Sequence, residues 1–143
     1  MREIAVQLLA ALLGALGFSL VFGLHKKHLL LASLGGLFTW GVYLLVTRFL
    51  PSPFFANLIA SVFAVFGAEV LARWQKCPAT LFLVPAIIPL VPGSSLYYTM
   101  SYAVQNNLEM VHYHGHQLLT AAFAIAAGVS FVTIWRELRA ARR

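Results

Sequence analysis

Three prolines and a Gly-Ser-Ser cluster sit inside an apolar stretch from Ala79 to Val104. The run reads Pro85-Ala86-Ile87-Ile88-Pro89-Leu90-Val91-Pro92-Gly93, followed by Ser94, Ser95, Tyr97 and Tyr98. Each proline lacks an N–H and disturbs the carbonyl four residues before it. In lipid a freed carbonyl must find another partner, so broken helices persist where they are buried in protein or line a watery cavity. Pro92-Gly93 is expected to stop a first helical arm, with Ser94 and Ser95 as N-cap candidates for a second. The first N–H groups of that second arm are unpaired and carry the positive end of a helix dipole, a place for a carboxylate. Tyr97, Tyr98, Ser101 and Tyr102 add hydroxyls along it. Pro89, Pro92, Gly93, Ser94, Ser95, Tyr97 and Tyr98 are therefore the candidate substrate-binding residues. The competing reading is a proline-kinked helix whose serines bond only to backbone.

Two further polar side chains fall within apolar runs. Asn57 is an amide in a lipid-embedded helix, where it must face protein or water. Glu69 is an intramembrane carboxylate, a functional candidate by default. Both are candidates for ion coupling. The alternative for Glu69 is a snorkelling side chain paired with Arg73, four residues on. His112, His114 and His116 alternate in a polar segment. Closely spaced histidines can bind zinc, yet no cysteine or aspartate stands near them. A polar loop without a metal is the expectation, with no cofactor. Glu109 is expected to be a solvated charge.

Other chemistries lack their residues. Ser94 and Ser95 have no nearby histidine, and there is no Gly-x-Ser-x-Gly elbow, so nucleophilic catalysis is unsupported. No phosphate loop is present. The single cysteine, Cys77, excludes an intrachain disulfide. An intramembrane enzyme would need a nucleophile–base pair that is absent here. A non-transporting membrane scaffold remains the alternative function, and it would tolerate helix-restoring changes at Pro89 and Pro92.

The elements that must position these residues are membrane helices. Of 143 residues, 61% are hydrophobic and 10% are charged, with no aspartate. A soluble domain carries about 25% charged residues, so this chain could not clothe a soluble surface. The expected fold is an all-α membrane protein, one transmembrane domain over residues 1–143 with about five helices, the fourth broken at its Pro-rich segment. The spans fall at about residues 4–24, 29–47, 54–72, 79–104 and 118–135, with a polar loop at Gln105–His116 and a basic tail at Arg136–Arg143. The first run is long for a signal peptide and lacks an A-x-A cleavage pattern, so it reads as a retained helix. The arms of the broken span hold about six and eleven residues, or roughly 9 and 16 Å, which puts the break near mid-bilayer.

Small residues are expected to form the packing faces. These are Asn57, Ser61, Ala64 and Ala68 on the third span, and Thr120, Ala124, Ala127 and Gly128 on the last. Ser33, Gly36 and Gly41 do the same on the second, and Gly14 and Gly17 on the first.

Orientation follows the basic residues. With the N-terminus outside, Lys26, Lys27, Arg73, Lys76, Arg136, Arg139, Arg142 and Arg143 lie inside, against Arg2 and Arg48 outside. His25 and His28 flank the lysines of the first inner turn. The net charge of +6 is explained by this placement and not by nucleic-acid binding.

The stretch Lys76-Cys77-Pro78-Ala79-Thr80, the Pro-Leu-Val-Pro-Gly core at Pro89–Gly93 and Tyr97 resemble the threonine/serine exporter family. The small-subunit type, which corresponds to the C-terminal half of full-length exporters, is the nearer likeness. Length and span count agree along nearly the whole chain. Pro89, Pro92, Gly93 and Tyr97 are the motif positions that carry over. The resemblance implies secondary export of threonine, serine or related small carboxylates across a bacterial inner membrane, with the driving ion expected to be H⁺. It also implies a larger multi-span partner subunit. A five-span half running N-out to C-in needs such a complement of opposite orientation to form an inverted pair.

Overall fold

The computed structural model describes residues 2–141, which leaves Arg142 and Arg143 of the basic tail outside the described residues. Six α-helices follow one another: α1 Arg2–Val21, α2 Lys26–Phe49, α3 Pro53–Gln75, α4 Thr80–Ile87, α5 Gly93–Val104 and α6 Leu108–Ala141. A 3₁₀ turn, Ile88–Leu90, joins α4 to α5. No strand occurs among the described residues. Four helices are long and apolar enough to cross a membrane, and a fifth span results if α4, the turn and α5 count as one, bent by 52°.

Local chemistry sets the helix ends. Gly23 takes φ 65° after α1. Its N–H returns to Leu20, and the Leu24 N–H returns to Ser19, a Schellman closure that a glycine adopts without steric cost. Pro53 occupies the first turn of α3, where its missing N–H is no loss. Lys76 sits left-handed after α3, and the Cys77 N–H closes on the Ala72 carbonyl at 3.1 Å.

The polar loop expected at Gln105–His116 is only three residues long here, and α6 starts at Leu108. The Asn107 side-chain oxygen accepts the Met110 N–H at 3.3 Å, the N-cap bond of a helix start. Glu109 in the first turn complements the dipole. The histidines therefore lie on helix.

Helices α1, α2 and α3 pack in series, α4 lies against α2 and α3, and α6 covers the other side of α3. Small residues make the seams, as close approach requires. On α3, Asn57, Ser61, Ala64 and Ala68 are all buried, as their spacing predicts. The matching seam on α6 is Ala121, Ala124 and Gly128, whereas Ala127 is exposed. A Cβ on Gly128 would overlap the Ser61 hydroxyl. On α1 the seam is Ala11, Ala15 and Ser19; Gly14 and Gly17 face open space. The buried hydroxyls of Ser19 and Ser61 are satisfied within their own helices: Ser19 donates to the Ala15 carbonyl at 2.7 Å and Ser61 to that of Leu58 at 2.9 Å.

Candidate functional site

The broken span is built from two unlike arms. In α4, Phe82, Pro85 and Ala86 are buried. Gly36 of α2 makes this possible: a Cβ there would stand 2.5 Å from the Ala15 Cβ, 3.1 Å from the Pro85 carbonyl oxygen and 3.4 Å from Pro89 Cγ. Pro89 cannot donate to the Pro85 carbonyl, and that carbonyl lies against the glycine. The 3₁₀ turn continues the contact with α1, α2 and α3, and Leu90 is buried. Pro89 thus sits in packing between helices.

The second arm has no buried residue. Helix α5 touches the rest of the chain through α6. Ser94, Tyr97 and Tyr98 are exposed, as is Gly93, and Ser95 is half-buried. The expectation that Ser94 or Ser95 caps this arm is corrected. Pro92 holds the N-cap position without a side-chain bond, so the serines fall at the second and third helical positions. Gly93 N–H turns back on Val91 at 2.8 Å, and the Leu96 N–H takes the Pro92 carbonyl at 3.1 Å. The N–H groups of Ser94 and Ser95 make no hydrogen bond among the described residues. The donors expected of an open helix start are therefore present, supplied by backbone, with two hydroxyls beside them.

Tyr98 and Tyr102 face α6 and stack on the His114 ring, with centroids at 5.2 and 5.6 Å. His114 is the aromatic contact that docks α5. His112 and His116 are exposed, and successive helical steps of two residues turn them away from His114. No group of three metal-ligating side chains occurs among the described residues.

The two coupling candidates are not brought together. Asn57 is buried near the start of α3 and donates to its own Pro53 carbonyl at 2.8 Å. Glu69 lies twelve residues on, about 18 Å along the helix. Its carboxylate meets Arg73 at 3.8 Å and Arg136 of α6 at 3.3 Å. The local pair with Arg73 was legible from spacing. The pair with Arg136 was not, because it depends on how α6 lies along α3.

Sequence reading also missed Thr39. Its hydroxyl is buried without a hydrogen-bond partner among the described residues. It lines an apolar cleft of about 280 Å³ between α2, α3 and α4, walled by Phe63, Phe82 and Ala86. A threonine within the apolar run Leu34–Val46 gives no periodic signal that would single it out.

Spanning helices packed by small residues, with one span broken at prolines, define a multi-pass membrane protein. The sequence model of the family described as Threonine/Serine exporter, ThrE, matches residues 7–135. The chain belongs to that family. No solved structure matches it.

Proposed function

We propose that this chain is one half of a secondary exporter of threonine, serine or a related small carboxylate, driven by H⁺ and working with a larger multi-span subunit. Family membership supports amino-acid export. The single observation that carries the site is the first turn of α5, with two unpaired N–H groups and the exposed hydroxyls of Ser94, Tyr97 and Tyr98. Such a turn offers the dipole end and donors that a carboxylate needs. Hydroxyls on a spanning segment are costly against acyl chains, so a covering protein surface or a watery path is expected there. A complementary subunit on α5 would provide either one.

Coupling is assigned to Glu69, the carboxylate among the two candidates. A proton on Glu69 would release Arg136 and loosen the link between α3 and α6. The reading places the chain in a bacterial inner membrane, with the N-terminus outside and the Glu69 end cytoplasmic. The basic asymmetry supports that orientation.

The test is reconstitution. Purified chain alone in liposomes should not release radiolabelled threonine or serine. The chain combined with a multi-span family protein encoded beside it should do so under a pH gradient. Robust export by the chain alone would overturn the two-subunit reading.

A further inference from the structure

The loop between α3 and α4 forms a second polar feature, far from the α5 turn. A cleft of about 220 Å³ is lined by Glu69, Ala72, Arg73, Cys77, Ala79 and Arg136. Two guanidiniums share one carboxylate there, which leaves an excess of one positive charge. The Arg73 contact with Glu69, at 3.8 Å, is too long for a hydrogen bond, and the Arg73 side chain is 77% exposed. Arg73 thus has donors to spare. The start of α4 faces the same cleft through Ala79. The N–H groups of Ala79 and Thr80 make no hydrogen bond among the described residues, so a helix dipole adds to the positive field.

The position of the cleft tells which anion it meets. Trp74 adjoins Arg73 and is 72% exposed, and Trp135 adjoins Arg136 and is 52% exposed. Arg139 lies over the Trp135 ring at 4.9 Å. Exposed tryptophans at helix ends settle at headgroup level. We infer that the Arg73–Arg136 cleft binds the phosphate of an anionic phospholipid in the leaflet on the α3–α6 basic side, in competition with the Glu69 carboxylate for the two guanidiniums. Basic pockets between spanning helices suit such headgroups, and paired guanidiniums match phosphate oxygens. The inference does not rest on what the protein carries.

The test uses the full chain in nanodiscs, titrating phosphatidylglycerol into phosphatidylcholine. Thermal shift and native mass spectrometry would read the retained lipid. Phosphatidylglycerol should be retained in preference to phosphatidylcholine. Arg73→Gln and Arg136→Gln should each weaken that preference about fivefold, the scale of one basic residue near an anionic surface. Glu69→Gln should strengthen it, since the carboxylate no longer competes. Arg48→Gln, at the far end of α2, should leave it unchanged. Inorganic phosphate or free threonine, added at millimolar concentration, should not reproduce the shift. If either soluble ligand does, the cleft is a small-molecule site and the lipid assignment is wrong. If both arginine variants keep full phosphatidylglycerol preference, the cleft is not the site. Both side chains are substantially exposed, so loss of folding is not expected to mask the result.

Discussion

The two arms of the broken span, α4 of 8 residues and α5 of 12, have opposite surroundings. Helix α4 is wedged between α2 and α3, with Phe82 and Pro85 fully buried. Helix α5 is bent 52° from the first arm, packs on α6 and buries no residue. The difference traces to side chains. Arm α4 packs Phe82 and Leu83 with Ala32 of α2 and Ala68 and Ala72 of α3, and sets Ala86 against Gly35 of α2. Arm α5 carries Ser94, Tyr97, Tyr98 and Ser101; it docks on α6 through the Tyr98 and Tyr102 rings on His114, and its first turn stays open. One arm anchors and the other presents. A break made by prolines alone would be a hinge; the proposed carboxylate site draws on the contrast between one packed arm and one open, donor-bearing arm.

Erasing the difference should have the largest effect. Pro92→Ala with Gly93→Leu favours one continuous helix and draws the Ser94 and Ser95 N–H groups into backbone bonds. Threonine export should fall at least tenfold, about 1.4 kcal/mol or more in activation terms, while membrane insertion persists. Export at the parental rate would show that the break is dispensable.

The arms should also fail differently when each is perturbed alone. Gly36→Val pushes a side chain into Ala15 and the Pro85 carbonyl. Overpacking of this kind costs about 1–3 kcal/mol, visible as a lower melting temperature in detergent. Tyr97→Ala, on an exposed surface, should change stability by less than about 0.5 kcal/mol and still reduce export. Equal thermal losses in both variants would dissolve the distinction between anchor and presenting arm.

Much of this architecture was legible in the sequence. Proline placement gave the break, because a missing N–H acts locally. The stripe Asn57, Ser61, Ala64 and Ala68 gave the α3 seam, because helical periodicity is local too. The start of α6 is not legible in the sequence, because the polar density of Gln105–His116 masks the Asn107 cap and the apolar Leu108, Met110 and Val111. The serines of the break were read as caps, but Pro92 took that position and the donors are backbone groups. Two features lay beyond any local pattern: the reach of Arg136 to Glu69, and the orphaned hydroxyl of Thr39. Both depend on how distant helices cross.

Smaller effects sharpen the picture. Glu69→Gln removes the titrating group, keeps its size and leaves α5 untouched. Export should lose its dependence on the pH gradient while substrate affinity is retained. Normal export at every gradient would assign Glu69 to ion pairing with Arg73 and Arg136 alone. Ser94→Ala should weaken substrate affinity by about 1 kcal/mol, the scale of one neutral hydrogen bond, read as a roughly fivefold rise in half-saturating threonine.

The central claim is that the open turn of α5 receives a carboxylate. Competition between threonine and its amide tests this most directly, since the two differ at the group that would meet the Ser94 and Ser95 N–H donors. In cells or liposomes exporting radiolabelled threonine, unlabelled threonine should compete fully and threoninamide poorly. If the amide competes as well as the acid, no carboxylate is read at this turn, and the break serves as a hinge.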